Sequence, residues 1–155
     1  MKLRIIITLF FVFIALSGCE KEFTSTIPSA QVYVDLDLNG RDNSLIPSGA
    51  YKTLTAPRLA EEKLGFGGIL IVNGMFGDSD INIYAFDLAC PYEAPNRISR
   101  LNCDGLKATC PVCNSVFIVS DGFGSPESGP AASAKLALKY YRVYNDSYLH
   151  YIVRN

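Results

Sequence analysis

From residue 32 onward, apolar residues come in short runs divided by turn-forming pairs, and nowhere do they hold a 3.6-residue period long enough for a helix of ordinary length. Val32 to Leu38 alternates with period two and stops at Asn39-Gly40. Gly68 to Val72 and Ile81 to Asp87 follow. Ile98 to Asn102 and Leu106 to Thr109 flank Asp104-Gly105, a pair that suits a two-residue hairpin because the tight turn needs positive φ. Val116 to Ser120 ends at Asp121-Gly122, and Leu136 to Tyr144 and Tyr148 to Val153 flank Asn145-Asp146 as a closing hairpin. Residues 56–63 leave room for one short helical turn. Many short strands at turn-marked intervals predict an all-β fold, an antiparallel sandwich or small barrel.

The N-terminus predicts where such a domain resides. Lys2 and Arg4 precede a run of twelve residues, Ile5 to Leu16, and then Leu16-Ser17-Gly18-Cys19. The run is too short to span a bilayer, which takes about 20 apolar residues. The pattern resembles a bacterial lipoprotein signal, which implies a signal peptide over residues 1–18, cleavage before Cys19 and lipidation of that cysteine. Residues 19–30, rich in Ser, Thr and Pro, read as a tether, and 31–155 as the folded domain. The expected location is the cell envelope, with the chain lipid-anchored to the outer membrane on its periplasmic or surface face. The acidic Glu20-Lys21-Glu22 weakly resembles surface-export signals. The expected partners are that membrane, through the anchor, and an envelope protein of unknown identity.

Removing Lys2 and Arg4 from fourteen basic residues leaves twelve against fifteen acidic ones, a net charge of −3 for the anchored chain. No Lys/Arg cluster is present to neutralise a phosphate backbone, so nucleic acid is not an expected partner. Outside the cytoplasm thiols tend to oxidise, so the cysteines at 90, 103, 110 and 113 are disulfide candidates as well as metal ligands.

Cys90-Pro91-Tyr92 is followed, after seventeen residues, by Cys110-Pro111-Val112-Cys113. These resemble the Cys-x-His and Cys-x-x-His loops of the Rieske iron–sulfur family. The likeness extends from about residue 67 to 153: Tyr84 to Asp87 resembles the lead-in strand, Asn114 to Phe117 the stretch after the second loop, Ser128 to Ala131 the proline loop over the cluster, and Leu136 to Tyr140 the strand after it. The resemblance implies a Rieske-like β domain with a two-loop ligand subdomain. It assigns Cys90 and Cys110 to the cysteine ligand positions and puts Tyr92 and Cys113 where the two imidazoles belong. The one histidine, His150, lies far along the chain and reads as a strand residue.

Half the ligand set is therefore missing, and the domain reads as degenerate. The leading expectation is a binding or structural module without a cofactor, its thiols free or joined as a disulfide; the family geometry would pair Cys90 with Cys110, and Cys110 with Cys113 is the other pairing. The alternatives are electron transfer through an atypical [2Fe-2S] site, with iron held by Cys90, Cys110 and Cys113, with or without Tyr92, and a mononuclear metal at these ligand positions. Cys103 is expected to stand alone at a hairpin tip, and Phe117 to be a core aromatic. No catalytic Ser/His/Asp arrangement, phosphate-binding loop or carboxylate pair can be assembled, so no catalytic residue is expected.

Overall fold

The computed structural model describes residues 23–76 and 79–155, so the signal segment and Cys19 lie outside the described residues. Among the described residues the strands are β1 (Val32–Asp37), β2 (Tyr51–Leu54), β3 (Lys63–Leu64), β4 (Ile69–Asn73), β5 (Ile83–Asp87), β6 (Asn102–Cys103), β7 (Lys107–Thr109), β8 (Val116–Ile118), β9 (Pro126–Ser128), β10 (Tyr140–Ser147) and β11 (His150–Arg154). One helical turn, α1 (Pro130–Ser133), follows β9, and a 3-10 turn covers Asn43–Leu45. The described residues are all-β apart from these. Seven strands form one antiparallel sheet in the order β2-β4-β5-β10-β11-β1-β3, and β6-β7-β8-β9 form a second.

The large sheet curls into a barrel-like form. Val34 and Leu36 of β1 lie three strands from β5, yet they share a core with Leu54 of β2 and with Ile69 and Ile71 of β4. Strand β4 explains how the two sheets are joined. Successive side chains on a strand face opposite sides; Ile69 and Ile71 enter the barrel core, while Leu70 and Val72 pack with Phe86, Leu88, Ala108, Phe117 and Val119 against the small sheet. All four are fully buried, which is why this strand reads as a continuous apolar run.

Several sequence expectations shift. The first small-sheet hairpin pairs Cys103 with Ala108, so the turn is centred on Gly105-Leu106 and not on Asp104-Gly105. Asp104 moves out of the centre because its carboxylate accepts the N–H groups of Leu106 and Lys107, at 3.0 and 2.8 Å. Gly105 supplies the positive φ, +93°. The closing hairpin turns at Tyr148-Leu149, and Asn145-Asp146 becomes a bulge in β10. No helix forms over residues 56–63: the Glu62 carboxylate folds back onto the N–H groups of Arg58 and Leu59 and closes the segment as a turn.

The end of the expected tether is docked. Thr24 bridges Leu136, donating to Lys135 O at 3.2 Å and accepting from Ala137 N at 2.8 Å. Ile27 is buried with Ala89 and Ala94 beneath Phe66, and Lys139 Nζ donates to the carbonyls of Ile27 and Pro28. Polar composition suggested a solvated linker, but these backbone pairings need no apolar pattern to form.

Candidate thiol site

Two loops build the site, each pinned below by backbone and buried polar groups. Strand β5 ends at Asp87, whose buried carboxylate accepts from Phe66 N (2.8 Å), Gly67 N (3.0 Å), Ala89 N (2.9 Å) and Tyr141 Oη (2.7 Å). Three residues on, Cys90 N donates to Ser99 O at 2.8 Å, and Ala94 N closes the first loop onto Cys90 O. The second loop leaves β7 and returns into β8. Cys110 N donates to Ser115 O at 2.9 Å and Asn114 N to Cys110 O at 3.0 Å. Asn114 makes the return at φ +56°, a left-handed conformation that asparagine tolerates better than most residues.

The result is a cluster of three free thiols. The sulfurs of Cys90, Cys110 and Cys113 all lie within 4.8 Å of one another, and those of Cys90 and Cys113 are 3.7 Å apart. Cys90 and Cys110 are fully buried, and Cys113 is half-buried. Two hydroxyls serve them: Ser99 Oγ lies 3.3 Å from Cys110 Sγ, and Ser115 Oγ lies 3.2 Å from Cys113 Sγ. Ser115 is itself held by Ala131 N at 3.0 Å, so the proline loop, Ser128 to Ala131, reaches the cluster through that hydroxyl.

Burial pushes the Cys90 thiol up to about 12, and its neighbour Cys110 adds to the rise. Cys110 goes the other way. Burial opposes its ionisation, but the N–H groups of Cys113 and Val112 and the Ser99 hydroxyl hold it below the ordinary thiol value, with the Cys113 thiol adding to them. Of Cys90 and Cys110, Cys110 is thus the readier to ionise, and the thiolate is the form that binds metal or attacks an electrophile.

The other sequence candidates fall elsewhere. Tyr92 sits on the first loop with 48% of its surface exposed, in contrast to the buried sulfurs. Cys103 lies on β6, outside the cluster, and its sulfur accepts from Gly105 N at 3.3 Å. Phe117 is fully buried in the core between the sheets. His150 is on β11, where Nε2 meets Asp35 Oδ1 at 2.9 Å and Nδ1 lies 3.4 Å from Asp146 Oδ2. Sequence reasoning missed the roles of Ser99, Ser115 and Asp87; Ser115 and Asp87 left a signal only as members of family-like stretches, the one after the second loop and the lead-in strand. A separate aromatic groove is lined by Tyr84, Asp121, Gly122, Phe123 and Tyr140.

These residues do not fit a diiron centre with two cysteines on one iron and two imidazoles on the other. The only imidazole of the chain lies on the large sheet, 2.9 Å from Asp35 Oδ1, away from the thiols. Cys113, which the sequence resemblance sets where the second imidazole belongs, instead brings its sulfur within 4.8 Å of both others, so all three donors converge on one point.

No family model and no curated protein matches this chain. A chain in a solved structure of a complex of reduced oxygenase and oxidised ferredoxin in carbazole 1,9a-dioxygenase is similar at a TM-score of 0.46 and 16% identity; the match covers 81% of this chain and 94% of that one.

Proposed function

We propose that this chain is a lipid-anchored cell-envelope protein whose Rieske-like β domain works as a binding or structural module rather than as a carrier of a two-cysteine, two-histidine cluster. The single observation that carries this reading is the convergence of Cys90, Cys110 and Cys113, which Tyr92, exposed on the first loop, does not join. Two loops that resemble a diiron grip thus enclose one compact, largely buried group of sulfurs. The anchoring rests on Lys2, Arg4, the apolar run to Leu16, and Leu16-Ser17-Gly18-Cys19.

The competing reading, one-electron transfer through an atypical [2Fe-2S] site, draws on the same thiols. Full-length protein extracted without air from its native envelope separates the two. Iron and acid-labile sulfide well below one per chain, with no visible absorption, are the expected result; two of each per chain would overturn the reading. Recovery of Cys19 with a thioether-linked lipid after proteolysis and mass spectrometry is the expected outcome for the anchor, and an unmodified N-terminal Met1 would refute it.

A further inference from the structure

Resting on that reading, we propose that Cys90, Cys110 and Cys113 form a mononuclear trithiolate site for one thiophilic d10 cation of the Cu(I) or Zn(II) class. Geometry supplies the first argument. An ion about 2.3 Å from each of three thiolates sets the sulfurs about 3.8 Å apart at tetrahedral angles and about 4.0 Å apart in a trigonal plane. The Cys90–Cys113 separation of 3.7 Å meets that requirement, and no sulfur pair exceeds 4.8 Å. One ion can therefore satisfy all three donors with sub-ångström adjustment.

Ligand chemistry supplies the second. An all-sulfur donor set selects soft ions, and hard cations such as Mg²⁺ or Ca²⁺ need oxygen ligands the site does not offer. Binding forms one metal–sulfur bond per cysteine and releases the thiol protons to solvent.

The third argument is that the site has oriented support. Ala131 N donates to Ser115 Oγ, which leaves the Ser115 hydroxyl hydrogen free to point at a Cys113 thiolate 3.2 Å away. Ser99 stands in the same relation to Cys110 at 3.3 Å. Outer groups of this kind fix ligand orientation, and their loss lowers metal affinity by about 10- to 100-fold.

The test uses the full-length chain in mild detergent, stripped of metal, reduced, and titrated anaerobically with Co(II) as a spectroscopic probe. Co(II) is expected to bind at one equivalent with intense sulfur-to-metal charge-transfer absorption, and one equivalent of Zn(II) or Cu(I), added separately, should bleach it. Cys113→Ser and Ser115→Ala should each weaken Co(II) binding by at least about tenfold, while Cys103→Ser should leave it unchanged. Should the Cys113 variant fail to fold, Zn(II) or Cu(I) must still raise the Tm of the unaltered chain, so the outcome does not depend on the variant. Absence of charge-transfer absorption, equal binding by Cys103→Ser and Cys113→Ser at reduced affinity, or a Cys90–Cys110 disulfide in protein isolated without reductant would overturn the site and leave the proposed function standing. Assembly of two irons and two sulfides per chain on reconstitution would overturn both.

Discussion

Asp87 divides its carboxylate among three backbone N–H groups and one phenol, all in a fully buried setting. Burial, and next the Asp87 carboxylate, hold the Tyr141 phenol protonated far above its ordinary range, so it remains a donor at any pH the fold would meet. Tyr141→Phe removes one bond to a charged acceptor and should cost about 1.5–3 kcal/mol in urea unfolding. Asp87→Ala should cost more, because it orphans the buried N–H groups of Phe66, Gly67 and Ala89, each at about 1–3 kcal/mol before relaxation. Equal losses for the two variants would contradict the assigned network. At this scale the cysteines were legible, since their type and spacing survive in one dimension. The role of Asp87 was not: the residue closes the stretch resembling the lead-in strand, but its donors at Phe66 and Gly67 lie about twenty residues away in sequence.

The loop from β9 into α1 depends on Gly129, at φ +82°. A Cβ there would meet Ser115 Cα at 2.7 Å and Ser115 Oγ at 3.0 Å, so the steric problem and the unfavourable φ fall on the residue that faces Cys113. Gly129→Ala should therefore destabilise the domain by more than about 1 kcal/mol and speed hydrogen exchange at the Ala131 amide, whose acceptor is Ser115 Oγ. A stable variant with unchanged Ala131 protection would refute the coupling. Strands were the most legible elements: β1, β4, β5 and β8 fall within one residue of their apolar runs at one end or both. Turn centres were less so. The preference for Asp-Gly or Asn-Asp at the tip was overridden where an aspartate did other work, Asp104 capping amides and Asp146 lying beside His150.

Across the whole molecule, the curl of the large sheet is tied by a charged cluster. Asp42, with its side chain fully buried, meets Lys52 Nζ of β2 at 2.7 Å and Arg58 Nη1 at 2.6 Å, and Arg58 Nη2 meets the equally buried Glu62 at 2.5 Å and Asp35 O of β1 at 2.9 Å. Burial raises the Glu62 carboxyl, but the Arg58 guanidinium and the N–H groups of Arg58 and Leu59 more than reverse this and hold it below the ordinary glutamate range. The sign follows: stabilisation by Glu62 is complete above the ordinary carboxylate value and is lost as pH falls through its lowered one. Urea midpoints should fall below about pH 4, and Glu62→Gln should flatten that part of the profile while lowering the neutral plateau. Arg58→Met should cost about 3–5 kcal/mol, because two buried carboxylates lose their shared partner. A loss under 1 kcal/mol would show that the cluster is dispensable. None of this closure was legible: Glu61-Glu62 looks like any surface pair, and the pairing of Arg58 with Asp42 is a product of the fold.

The docked N-terminal segment has one more consequence. Phe23 begins the described chain, Thr24 is already hydrogen-bonded beside the helical turn, and Thr26 Oγ1 donates to Pro91 O on the first cysteine loop. With Cys19 lipidated as proposed, the four residues from it to Phe23 can reach at most about 14 Å. Such a leash is shorter than the thickness of a membrane leaflet. The first cysteine loop, which Thr26 touches, would then be held within a short reach of the headgroups.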